Sequence, residues 1–186
     1  CTDFGQNGEV NLQEFMPYAY PGGYNPTSPG IVTGSTVVIA GSVTDNYSNK
    51  EPSGVIRGYD VNTGKLLWVF DTGAADPNAM PGEGTTFVHN SPNAWAPLAY
   101  DAKLDIVYVP TGVGTPDIWG GDRTELKERY ANSMLAINAS TGKLVWNFQT
   151  THHDLWDMDV PSQPSLADIK NKAGQTVPAI YVLTKT

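Results

Sequence analysis

Two stretches of the chain carry the same order of apolar and polar positions. "GVIRGYDVNTGKLLWVFDTG" (54–73) and "NSMLAINASTGKLVWNFQTT" (132–151) each run through a short apolar segment, an Asp or Asn, two residues, Thr-Gly-Lys, two residues, Trp, one residue and Phe. Short apolar or alternating runs on either side of Thr63-Gly64 and Thr141-Gly142 predict β-hairpins. A second strand pair precedes each hairpin. In "GIVTGSTVVIAGS" (30–42) it turns at Gly34-Ser35, and in "APLAYDAKLDIVYVPTG" (96–112) around Asp101-Ala102-Lys103. A third unit begins the same way in "SQPSLADIKNKAGQTVPAIYVLTKT". Four strands per unit, repeated and marked by Trp, predict an all-β fold: a β-propeller of four-stranded antiparallel blades, with about two and a half blades in residues 1–186. Trp68 and Trp146 are then expected to pack between blades.

Composition narrows the picture. Nineteen Gly, 14 Pro, five Trp and nine Tyr suit short strands with tight connections. A formal net charge of −8 without a Lys/Arg cluster argues against nucleic acid as a partner. The single cysteine, Cys1, has no intramolecular partner, and no apolar run approaches the roughly 18–20 residues of a membrane span. The chain lacks an initiator Met and ends at "IYVLTKT" within what reads as a strand. The expectation is therefore one partial propeller domain over 1–186, internal to a longer protein.

Function in propellers resides in loops at one end of the channel, so the segments that interrupt the repeat matter most. They are 42–53, 71–95, 111–132 and the run from Thr151. The second is long enough to suggest a lid or rim. In the third, "DRTELKERYA" predicts a short surface helix capped by Asp122 or Thr124. The run "THHDLWDMD" (151–159) holds two histidines and three aspartates. These are ordinary metal ligands, but adjacent histidines point apart on an extended strand and the spacing matches no zinc motif. The alternatives are a solvated loop carboxylate, or a loop in which Trp156 packs while Asp157 projects into a cavity as a base.

The Trp-terminated hairpins, the "NAWAPLAYD" strand entry, the "TGVGTPDIW" loop and "HHDLWD", in this order, resemble the pyrroloquinoline quinone (PQQ) dependent dehydrogenases. These are eight-bladed propellers of the bacterial periplasm, and the resemblance spans essentially the whole chain. Within the family, 93–169 is most similar to the membrane-bound, glucose-oxidising branch. The resemblance implies that Asp157 is the catalytic base, with His153, Asp154 and Trp156 shaping its loop. It makes Trp95 the platform on which PQQ stacks, and Lys185 the cation beside the quinone oxygens and the base. Asp45 becomes a ligand to a divalent metal with Asn46 beside it, and Ser42 and Thr27 become cofactor contacts. Thr115 stands where alcohol-oxidising members carry an Asn metal ligand. That loss, together with the missing vicinal cysteine pair of the soluble alcohol enzymes, favours the glucose branch and makes Mg²⁺ as plausible as Ca²⁺.

The implied reaction is oxidation of D-glucose and related aldoses at C1 to the lactone. Asp157 removes the hydroxyl proton while hydride passes to PQQ, and the metal and Lys185 polarise the receiving carbonyl. A membrane quinone (ubiquinone) would accept the electrons on the periplasmic side of the inner membrane, with anchoring through a segment outside this chain. The rival readings are a PQQ-dependent alcohol or polyol dehydrogenase and a non-catalytic Trp-repeat scaffold. Two and a half blades leave a ring open, so the 186-residue chain by itself is expected to aggregate and to lack activity.

Overall fold

Each Thr-Gly-Lys segment turns tightly because the side chain ahead of it organises the turn. Asp60 Oδ1 accepts the backbone N–H of Asn62 and Thr63 and the Thr63 hydroxyl at 2.7–3.0 Å. The Thr63 bonds hold the Asp60 carboxyl below its ordinary pKa. Asn138 Oδ1 repeats the pattern with Thr141 N–H and hydroxyl at 2.9 and 2.8 Å. Gly64 and Gly142 then adopt φ of 69° and 70°, a left-handed conformation that favours glycine.

A computed structural model describes residues 2–186. Its strands, in chain order, are β1 (Tyr24–Asn25), β2 (Ile31–Val32), β3 (Thr36–Ile39), β4 (Ser42–Val43), β5 (Ile56–Asp60), β6 (Leu66–Phe70), β7 (Ala99–Asp101) and β8 (Ile106–Pro110). A one-turn helix, α1 (Glu125–Glu128), precedes β9 (Ser133–Asn138), β10 (Leu144–Gln149), β11 (Ser165–Lys170) and β12 (Thr176–Tyr181). Strands β2-β3-β5-β6 form one four-stranded antiparallel sheet and β7-β8-β9-β10 a second; β11-β12 form a two-stranded third sheet. This is the expected count of two and a half blades. A small extra sheet pairs β1 with β4 above the first blade. The helix is capped by Thr124, whose side chain accepts from Lys127 N–H, and not by Asp122. The final residues leave the sheet: β12 stops at Tyr181, and Leu183 N–H donates to Ser162 Oγ at 3.0 Å.

The main core lies between the first two blades, joining Val38, Ile56, Trp68 and Phe70 to Val107, Val109, Leu135 and Ile137. Trp68 is its keystone. Its Nε1–H donates to Ala139 O in the next blade at 3.0 Å, and its ring covers Gly142, where a Cβ would lie 2.5 Å from ring carbon. Gly58 approaches the other side of the same indole equally closely, so glycine is required on both faces. Trp146 and Phe148 hold the equivalent places on β10. They are 39% and 65% exposed, against 7% and 1% for Trp68 and Phe70, and no turn among the described residues covers them as Gly142 covers Trp68.

That open seam, with Val145, Leu166 and Tyr181 also exposed, predicts that the 186-residue chain alone self-associates at micromolar concentration. Sedimentation velocity should show a concentration-dependent distribution that Phe148→Lys shifts toward monomer. A monodisperse wild-type monomer would count against an unfilled seam.

Candidate active site

Antiparallel order sorts the connections to two ends. The short hairpins that close β2-β3, β5-β6, β7-β8, β9-β10 and β11-β12 lie at one end of their sheets. The segments 40–55, 71–98, 111–132, 150–164 and 182–186 all leave from the other. Every expected site residue except Thr27 lies on one of these segments, and Thr27 lies just after β1. The 71–98 segment is not a free lid. Asp71 is buried and accepts from Gly73 and Val88 N–H, and Asn78 Nδ2 donates to Val69 O and Gly142 O at 2.7 and 2.9 Å, stitching the segment across the blade seam.

The "HHDLWD" loop is templated by Asp154, which is 2% exposed. Asp154 Oδ1 accepts Trp156 N–H at 2.8 Å, and Oδ2 accepts Met158 N–H and the Asn132 amide. The buried Arg123 guanidinium donates to Asp154 O at 2.7 Å and to Pro116 O and Asp117 O, clamping this loop to the 111–132 segment. His153 turns outward, with Nδ1 3.1 Å from Glu128 Oε1. Trp156 was expected to pack, but it is 80% exposed. With Asp154 accepting the N–H groups of Trp156 and Met158, the indole is carried to the outside of the bend.

Asp157 lies at this bend with φ of 57°. Lys185 Nζ donates to its Oδ2 at 3.1 Å and to its backbone carbonyl at 2.6 Å, so two segments far apart in sequence bring carboxylate and ammonium together. Asp159 is only 8% exposed. Its Oδ2 accepts Trp95 Nε1–H at 2.8 Å, its Oδ1 accepts Val113 N–H at 2.9 Å, and Lys185 Nζ is 4.0 Å away. Burial raises the Asp159 carboxyl pKa, although the Trp95 and Val113 bonds act in the opposite direction. Trp95 is half-buried, and its carbonyl accepts the hydroxyls of Thr27 at 3.0 Å and Ser28 at 2.7 Å. Thr27 thus lies beside Trp95. Ser42 donates to Asn25 O at 3.4 Å.

Asp45 reaches the same region from the loop after β4. Desolvation raises its carboxyl pKa first, then the charges of Asp159, Asp157 and Glu51, with Lys185 opposing. Asn46 spends its amide on Asp117: Oδ1 accepts Asp117 N–H at 2.9 Å and Nδ2 donates to Asp117 Oδ2 at 3.2 Å. A cation could engage Asn46 only through the second lone pair of that oxygen. Asp117 itself is buried and pushed up to about 7, chiefly by desolvation and then by Asp45, Asp159 and Asp157. Thr115 is also buried, with its hydroxyl and carbonyl both accepting from Asn90 Nδ2 at 2.9 and 3.0 Å. It therefore supports the site through Asn90 instead of presenting a free oxygen.

Four carboxylates, Asp45, Asp117, Asp157 and Asp159, thus sense one another's charge, with Lys185 reaching among them. No group of three or more His, Cys, Asp or Glu among the described residues is arranged to hold a metal unaided. The arrangement suits a cation completed by oxygens from outside the protein, because a divalent charge would offset the burial, and after it the neighbouring charges, that raise Asp45, Asp117 and Asp159. PQQ is planar, which matches the indole of Trp95, and its oxygens could complete the coordination of such a cation.

Sequence reasoning missed Asp117, Arg123 and the place of Asp159. On an extended segment Asp159 would share the face of Asp157. The left-handed backbone at Asp157 breaks that alignment. The Asp-x-Asp spacing was the available signal. Arg123 offered none, because its partners are backbone carbonyls from separate loops.

The glucose/ethanol/alcohol dehydrogenase β-propeller domain of the PQQ family matches residues 1–186. The chain is 64% identical to quinoprotein glucose dehydrogenase of Escherichia coli (strain K12) over 186 residues, which is all of this chain and 23% of that protein. It is 53% identical to quinoprotein glucose dehydrogenase of Gluconobacter oxydans (strain 621H), with the same two coverages. The structure of quinohemoprotein alcohol dehydrogenase ADHIIG from Pseudomonas putida HK5 superposes with a TM-score of 0.69 at 27% identity, over 87% of this chain and 25% of that one. The chain therefore spans 23% of the length of the curated relatives it matches. It belongs to the PQQ family of glucose/ethanol/alcohol dehydrogenase β-propellers.

Proposed function

We propose that the complete protein oxidises D-glucose and related aldoses at C1 to the lactone, using PQQ and a divalent metal, Mg²⁺ or Ca²⁺. The electrons would pass to a membrane quinone, ubiquinone, on the periplasmic side of the bacterial inner membrane. The observation that carries the chemistry is the 3.1 Å contact between Lys185 Nζ and Asp157 Oδ2, beside an indole tied to Asp159. The sugar assignment is supported by 64% and 53% identity to two quinoprotein glucose dehydrogenases. A scaffold propeller would have no use for carboxylates held at raised pKa by burial and by one another, which weighs against a non-catalytic reading.

When bound, PQQ supplies a two-electron acceptor for the hydrogen leaving C1. The chain's own residues do the rest. Trp95 offers the flat apolar face, and Thr27 and Ser28 fix its backbone. Asp157, with a side chain 45% exposed, is positioned to take the proton of the anomeric hydroxyl, and Lys185 stabilises the ionised carboxylate that makes it a base. Lys185 also brings positive charge to where an oxygen gains negative charge during the reaction. Asp45 is the carboxylate placed to bind the metal, with Asn46 and Arg123 holding Asp117 close by. Transfer to a membrane quinone calls for attachment through a segment outside these residues; no described helix is long and apolar enough to cross a membrane.

In the full-length enzyme, Asp157→Asn should lower the rate of PQQ reduction by glucose about 10²- to 10⁴-fold while PQQ still binds. Asparagine tolerates the left-handed backbone at this position, so the change removes the base with little strain. Stopped-flow absorbance decides the matter, and near-normal reduction would reject Asp157 as the base.

Chelation should abolish activity, and Mg²⁺ or Ca²⁺ with PQQ should restore it. Asp45→Ala should raise the metal concentration for half-reconstitution by about tenfold or more, because it removes a charged oxygen ligand. Reconstitution at an unaltered concentration would exclude Asp45 from the metal site.

A further inference from the structure

We propose that Asp159 is the positioning residue that sets the plane of the Trp95 indole, and through it the tilt at which the planar cofactor lies. The proposal rests on the reading of Trp95 as the cofactor platform. An indole on a fixed backbone retains two torsions, and its sole polar atom is Nε1–H. In this structure both ends are held. The Trp95 carbonyl is fixed by the hydroxyls of Thr27 and Ser28, and the ring by Asp159 Oδ2 at 2.8 Å. The carboxylate cannot drift, since its other oxygen accepts Val113 N–H at 2.9 Å. Gly112 leaves it room from below, as a Cβ there would lie 2.4 Å from Oδ1. The Lys185 ammonium, at 4.0 Å, is closer to Asp157 than to Asp159. The direct contacts of Asp159 are thus donors from the indole and the 111–132 segment, an arrangement suited to orientation. Ionic acceptors form the shorter, more directional hydrogen bonds, and stacking depends on how two planes overlap.

The test is PQQ affinity of the full-length apoenzyme, measured by equilibrium dialysis at fixed Mg²⁺, in a double-mutant cycle. Asp159→Asn keeps the volume but leaves one oxygen for two donors, and should weaken PQQ about tenfold, about 1.4 kcal/mol. In the Trp95→Phe background the ring has no N–H, and the same change should cost less than about twofold. Gly112→Ala displaces the carboxylate without altering a polar group, and should reproduce both results if Asp159→Asn fails to fold. Equal losses in the two backgrounds would overturn the proposal. So would an unaltered PQQ affinity with a raised Mg²⁺ requirement, which would make Asp159 a metal ligand. Trp95→Ala separates the two readings. If it leaves PQQ affinity unchanged, the platform assignment fails; if it weakens PQQ while Asp159→Asn does not, only the role of Asp159 fails.

Discussion

The docking of Trp68 across the seam between the first two blades is the contact on which the site depends. A four-stranded antiparallel sheet can pack against its neighbour over a range of angles, and here one indole restricts that range. Its N–H is bonded to Ala139 O, and its two faces are covered by Gly58 and Gly142. Because Gly142 belongs to the Thr-Gly turn that Asn138 organises, the turn chemistry of one blade is the receptor for the tryptophan of the blade before it. Once the angle is fixed, loops that leave the opposite end of each sheet converge, and side chains from 45, 95, 117, 157, 159 and 185 come within electrostatic range.

That convergence concentrates negative charge. Asp45, Asp117 and Asp159 are raised above the ordinary carboxylate range, desolvation first in each case and neighbouring carboxylates after it. An arrangement of this kind opposes folding unless something supplies positive charge, and Lys185 supplies only one unit. The architecture resolves the conflict by anchoring backbone instead of neutralising side chains. Arg123 binds three carbonyls of two loops, and Asp154 gathers two backbone N–H groups and an amide. The loops are thereby held in place although their carboxylates repel, and the unbalanced negative charge remains available for a cation.

The sequence made the repeat legible because each blade reuses one local solution. An Asx side chain, a Thr-Gly pair and a Trp lie within nine residues, and local hydrogen bonds decide their conformation. It also made Asp157, Trp95, Asp45 and Lys185 nameable, through motifs tied to the family. Long-range commitment of polar atoms was not legible. Nothing local to Thr115 or Asn46 reveals that Asn90 and Asp117 occupy their hydrogen-bonding groups, since those partners lie 25 and 71 residues away.

The contrast between Asp157 and Asp159 follows from one backbone angle. On an extended strand, residues two apart share a face and a similar exposure. At φ of 57° the Asp157 side chain instead stays 45% exposed, while Asp159 is buried. A non-glycine residue in this conformation costs about 1–2 kcal/mol. The cost is offset by bonds that exist only when the bend forms: Asp154 to Trp156 and Met158 N–H, and Lys185 to the Asp157 carbonyl. The same lysine that sits against the Asp157 carboxylate therefore also holds the bend that exposes it, so the pairing of carboxylate and ammonium and the shape of the loop arise together.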